Sequence, residues 1–190
     1  MAVRTDYSAA ATTSLALLEA DVGILYHSLS HPAIREQLLG MSELVLIGHP
    51  SSLPLAPSIG LDALGKLGLI GPDAADPVGK MLTEALRSQN IQLDIRITAQ
   101  SYRSVVSLVE KSKGVGIVDA VTAISARERG LRVIPIRPNI ELPIVAPTAS
   151  GGSVRCHLNT SSPPVKRFSR PACDRQATVF FLMTRCVLLI

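Results

Sequence analysis

Residues 98–118 read TAQSYRSVVSLVEKSKGVGIV, and the same frame occurs earlier, without a gap, as TDYSAAATTSLALLEADVGIL at residues 5–25. Sliding the chain by 93 positions matches Thr5 with Thr98, Ser8 with Ser101, Ser14 with Ser107 and Leu15 with Leu108. Val22, Gly23 and Ile24 then fall on Val115, Gly116 and Ile117. Each copy has a serine placed to cap a helix, then a helical stretch, then a short apolar run opening on Val-Gly-Ile. Convergence of two βαβ units on one pattern is the plainer alternative. A duplicated frame instead predicts two lobes of similar build with a cleft between them, the usual place for a small ligand.

The rest of the chain extends this pattern. Ser8 is expected to cap a helix to about Ala20, followed by a strand at Val22 to Tyr26. Asp76 caps a second helix with Pro77 at its first position; Val78, Met81, Leu82, Ala85 and Leu86 share one face, and Asn90 ends it. Ser101 caps a third, with Tyr102, Val105, Val106 and Val109 on one face and Gly114 as its stop. Asp119 caps a shorter fourth that ends at Gly130. Short β-prone runs separate them at 44–47, 68–70, 93–97, 115–118 and 132–136. Helices alternating with such runs predict an α/β fold with largely parallel sheets. HPSSLPLAPSIG, residues 49–60, reads as an irregular connection between lobes.

Composition bounds the function. Nearly half the residues are apolar, which makes the chain globular. The net charge of +4 belongs to the last 40 residues, which hold six basic side chains against Asp174 alone. Residues 1–150 carry 13 Lys and Arg against 14 Asp and Glu, so this part has no electrostatic footprint for nucleic acid. Cys156, Cys173 and Cys186 also fall in that tail, at no metal or redox spacing. The N-terminus lacks the apolar core of a signal peptide. The final ATVFFLMTRCVLLI is short for a membrane span and is interrupted by Arg185. The chain is therefore expected to be cytoplasmic, with no membrane partner.

Catalytic chemistry finds little support. Gly114 follows a helix and Gly116 lies in the next strand, the reverse of a dinucleotide fingerprint, and no P-loop occurs. His27, His31, His49 and His157 have no metal-ligand spacing, and no G-x-S-x-G elbow sets up a nucleophile. Asp119, at a strand end, offers a base for an α/β enzyme, but capping the following helix is the plainer role. No catalytic residue, metal or cofactor is expected. Binding is better served by Ser8 and Ser101, whose helix N-termini present free N–H groups to a carboxylate or similar anion.

These residues also resemble a known family. LVLIGHPSSLPLAPSIGLDALGKLGLI, SLVEKSKGVGIVDAVTA and VIPIRPNIELPI, in that order and spacing, resemble the effector domain of LysR-type transcriptional regulators. The resemblance covers residues 1 to about 146 and implies two Rossmann-like lobes of periplasmic-binding-protein type joined by crossing strands. On that pattern residues 1–48 form part of lobe I, 49–143 form lobe II, and 144–190 return to lobe I before an atypical tail. Lobe I is expected to be incomplete, since its first strand and helix find no counterpart. From about Ala146 the sequence leaves the pattern, with the composition of a foreign or frameshifted tail.

The resemblance implies a small-molecule effector, anionic or amino-acid-like, held by Ser8, Thr98, Gln100 and Ser101, with Asp76 and Asp119 contributing. It also implies DNA contact only through a helix-turn-helix domain that these residues do not include, and a homo-oligomer in the intact protein. It implies no enzymatic activity. A solute-binding protein of a transporter shares the architecture and stands as the alternative.

Overall fold

The computed structural model describes residues 3–5, 8–26, 30–74, 76–87, 90–150 and 187–189. The expected tail, its cysteines, His27 and His157 thus lie outside the described residues. In chain order the elements are β1 (Val3–Thr5), α1 (Ser8–Ala16), β2 (Val22–Ile24), β3 (Ile34–Gly48) and β4 (Ile59–Gly60). Then come α2 (Leu61–Leu64), β5 (Gly68–Pro72), α3 (Pro77–Arg87), β6 (Asp94–Ala99) and α4 (Tyr102–Ser112). β7 (Val115–Asp119), α5 (Thr122–Glu128), β8 (Arg132–Arg137), β9 (Glu141–Ala149) and β10 (Val187–Leu189) complete the fold.

The chain divides into two compact units, Met1–Met41 with Pro143–Ile190, and Ser42–Leu142. It leaves the first unit inside β3 and re-enters it inside β9. The segment 49–60, expected to bridge lobes, lies wholly within the second unit. Ser52 Oγ donates to the Lys113 carbonyl at 2.5 Å, and the Arg132 guanidinium donates to the Leu53 carbonyl. Leu53 and Ile59 are buried, so two apolar anchors hold a Pro-rich loop down. The passage between units was hidden because β3 begins with the polar run REQ, which breaks the period-2 signal of a strand.

In the second unit the strand order is β6–β5–β7–β3–β8–β4. β5, β6 and β7 run parallel, with Pro72 opposite Ala99 and Ile70 opposite Gly116. β3 opposes both β7 and β8, pairing Val45 with Val118 and with Pro135. The core gathers Val105, Val106 and Val109 of α4 with Val45, Ile47, Ile70, Val118, Ala123, Ala126 and Leu131. Full burial of each such side chain is worth roughly 1.5–3 kcal/mol, so one valine face holds α4 in place. Tyr102, at the head of that face, packs against the same cluster.

In the first unit, Ala11, Leu15 and Ala20 pack with Leu25 and Val145. β2 pairs antiparallel with β9, Val22 opposite Thr148. β10 lies between β1 and β2, parallel to both, with Val187 opposite Val3 and Val22. β5 holds the same place between β6 and β7 in the second unit. The repeat therefore maps β1–α1–β2 onto β6–α4–β7, each βαβ crossing over one intervening strand.

Two helix ends differ from expectation. α1 stops at Ala16 rather than Ala20, because Leu18 turns left-handed (φ 59°) and the N–H groups of Glu19 and Ala20 close on the Ser14 carbonyl. α4 ends on Lys113, left-handed at φ 53°, and not on Gly114, whose N–H is taken by Ser112 Oγ at 3.1 Å. Gly130, at φ 78°, does follow the end of α5, where the Leu131 N–H closes on the Ala126 carbonyl.

Candidate functional site

Parallel strands deliver their following helices from one edge, so the loops after β5, β6 and β7 collect at the carboxyl end of the second unit's sheet. Three polar side chains stand there: Asp76 and Ser101 directly before α3 and α4, and Asp119 at the end of β7, three residues before α5, whose N-cap position is Val121. Asp76 Oδ1 accepts the Val78 N–H of α3 at 2.9 Å. Ser101 Oγ accepts the Ser104 N–H of α4 at 3.2 Å and shares a hydrogen bond with Ser104 Oγ at 2.9 Å. Asp119 Oδ1 accepts from both the Val121 and Thr122 N–H groups at 2.9 Å. The sequence assigned these three caps because Asp and Ser satisfy the free N–H groups of a first turn better than most residues.

The electrostatics of the three starts differ. α3 and α5 already carry a carboxylate at their positive ends, whereas α4 carries only a neutral hydroxyl. α4 is therefore the start of these three whose positive end is not already met by a carboxylate, and its Ser101 is only partly buried. Thr98 and Gln100 are exposed immediately before this helix, Thr98 on β6 at the sheet's edge and Gln100 in the turn.

Asp119 is fully buried, and its Oδ2 has no hydrogen-bond partner among the described residues. The Tyr102 phenol is pushed well above the usual tyrosine range, first by burial, then by the negative charge of Asp119 and of Asp76. Tyr102 had been read from sequence only as a core residue of α4. Its apolar spacing signalled the packing, and nothing in the spacing signalled the polar end.

Ser8 belongs to the other unit. It is buried and forms the first residue of α1, one position further in than the cap expected there, with its carbonyl accepting from Thr12 Oγ1 at 2.7 Å. Asp76, Thr98, Gln100, Ser101 and Asp119 all belong to the second unit, at or just beyond the carboxyl ends of β5, β6 and β7. A separate open hollow of about 510 Å³ lies between α3 and residues 138–141, lined in part by Met81, Glu84 and Asn139, and none of the six expected residues reaches it. Among the described residues no group of three His, Cys, Asp or Glu is arranged to hold a metal ion, and no helix is long and apolar enough to cross a membrane.

The fold is a two-unit α/β domain with helix starts aligned along one sheet edge of the second unit. The chain belongs to the LysR substrate binding domain family, which it matches over residues 1–154, eight positions beyond the extent read from sequence. That family comprises effector domains of transcriptional regulators and is not an enzyme class. The chain is 25% identical over 137 residues to the HTH-type transcriptional regulator DgcR of Pseudoalteromonas sp., covering 72% of this chain and 47% of that protein. It therefore spans about half the length of the curated relative it matches. Among solved structures it is similar to CbnR, a LysR family transcriptional regulator, with a TM-score of 0.66 and 17% identity over 76% of this chain and 51% of CbnR. The effector binding domain of QuiR in complex with shikimate gives a TM-score of 0.67 and 19% identity, over 77% of this chain and 70% of that one.

Proposed function

We propose that this chain is the effector-sensing part of a LysR-type transcriptional regulator and that it binds a small anionic or amino-acid-like metabolite. The observation that carries this reading is the neutral hydroxyl of Ser101 at the start of α4, where the neighbouring starts of α3 and α5 are met by carboxylates at the same sheet edge. An incoming carboxylate takes the remaining N–H groups of the first turn of α4, with Ser101, Thr98 and Gln100 as polar neighbours. The equivalent serine of the first unit, Ser8, opens α1 in the same repeat frame and offers a second polar helix start. In the intact regulator, a cytoplasmic homo-oligomer, DNA is contacted by a helix-turn-helix domain and not by the two units described. The ligand alters DNA binding only in so far as it binds one arrangement of the protein better than another.

Isothermal titration of the chain against a panel of organic and amino acids tests the reading. A binder should emerge whose affinity falls about tenfold in Ser101→Ala, the loss of one hydrogen bond to a charged group. Unchanged affinity in that variant would remove Ser101 from the site.

A further inference from the structure

One helix start of the second unit holds a buried carboxyl that capping uses only in part. Asp119 is fully buried, and one of its carboxyl oxygens is committed to two backbone N–H groups. The other has no hydrogen-bond partner among the described residues. Among the described residues, the carboxyl oxygens left this way are Asp21 Oδ2 and Asp119 Oδ2, and only Asp119 belongs to a fully buried side chain. Asp76, at the start of α3, follows β5, which lies parallel beside β7, so it stands at the same sheet edge as Asp119. Asp94, Glu110 and Glu43 of this unit are met by Arg96, Arg129 and Arg137, whereas Asp76 and Asp119 have no such ion pair among the described residues. Capping explains one oxygen of Asp119. It does not explain a charged residue, because Asn or Ser caps a helix as well.

A buried carboxylate is expensive unless a cation meets it. Among the described residues no group of three His, Cys, Asp or Glu is arranged to hold a metal there, whereas a single cation needs only the carboxyls themselves. We propose that the carboxyl-end edge of the second unit contains a subsite for a protonated amine, taken by Asp119 Oδ2 and Asp76 beside the Tyr102 hydroxyl. This rests on the reading that Ser101 receives the ligand's anionic end. Together the two subsites select a zwitterion: a carboxylate at the uncharged start of α4, and an ammonium at the starts of α3 and α5, which already carry negative charge. The effector class is therefore an α-amino acid or a compound presenting both groups.

Titrations of the 190-residue chain should use matched pairs: alanine, glutamate and lysine, in both enantiomers, each against its 2-hydroxy counterpart. At least one amino acid should bind about tenfold or more tighter than its hydroxy acid, the worth of a charge-assisted hydrogen bond. Asp119→Asn, which keeps the cap, should erase that difference, whereas Ser101→Ala should weaken both members of the pair alike. Asp76→Asn supplies an independent variant with the same expected loss of preference. Hydroxy acids binding as tightly as amino acids would overturn the amine subsite and leave the anion site standing. A preference for amines that survives in both Asn variants would also overturn it. Failure of every compound in both series would overturn the two readings together.

Discussion

A methyl group placed on Gly116 would meet Val105 Cγ1 at 2.7 Å and Val109 Cγ2 at 2.8 Å. The glycine of β7 is thus the floor on which the valine face of α4 rests. Its repeat partner in β2, Gly23, is looser: the same methyl would meet Pro147 Cγ at 3.2 Å and Leu15 Cδ1 at 3.4 Å. The duplicated glycine does the same work in both units, with less room in the second.

Gly116→Ala should therefore destabilise the second unit by about 1–3 kcal/mol through overpacking, and Gly23→Ala should cost less in the first. Urea denaturation followed by hydrogen exchange on β7 and β2 reads the two effects separately. Equal costs would contradict the difference in clearance.

Ser101 has two roles that substitution can separate. Ser101→Ala should lower stability by about 1 kcal/mol, as loss of a cap does. Ser101→Asp should keep that stability, since a carboxylate suits a helix start. The same variant should nevertheless repel an anionic ligand and abolish its binding. Thermal unfolding with and without the bound acid distinguishes the pair; binding retained in Ser101→Asp would show that the anion goes elsewhere.

Tyr102 gives a pH dependence with a definite sign. Its folded phenol holds the proton more tightly than the unfolded one, so its contribution to stability is whole below the unfolded pKa of about 10. Stability is lost as pH rises from there through the folded value. Denaturation between pH 9 and 12 should show a downward slope in the native chain that is reduced in Tyr102→Phe. An unaltered slope would mean that other groups carry the alkaline limit.

Leu53 tests where the Pro-rich segment belongs. It is 4% exposed, and a methyl on Gly48 would touch its Cγ at 2.7 Å. Leu53→Ala should cost about 2–4 kcal/mol, as a buried Leu-to-Ala change does, with the loss registering in amide exchange along β3 and β8. A loss below about 0.5 kcal/mol, typical of a surface change, would mean the loop is merely draped over the unit.

The helices were the legible part of this chain. Asp76, Ser101 and Asp119 announced their caps, and the spacing of Val105, Val106 and Val109 announced the buried face of α4. The ends were harder, because the helices stop where a non-glycine residue tolerates a left-handed turn, at Leu18 and Lys113, while the nearby Gly114 draws the eye. β3 was read only at residues 44–47, since its outer half is polar and half-exposed. The candidate site was visible as separate residues. What joined Asp76 to Asp119 was the parallel alignment of β5 and β7, a long-range property that no local pattern records.

The strand β10, seated between β1 and β2, has a consequence for how the protein is made. The second unit is one continuous stretch, Ser42–Leu142, and every contact it needs has left the ribosome once that stretch has emerged. The first unit is different. Its opening βαβ is synthesised first but receives its middle strand last, after the whole second unit has been translated. The two halves of the repeat therefore follow opposite schedules: one has its three strands within a single continuous stretch, and the other receives its middle strand only after the second unit has been made.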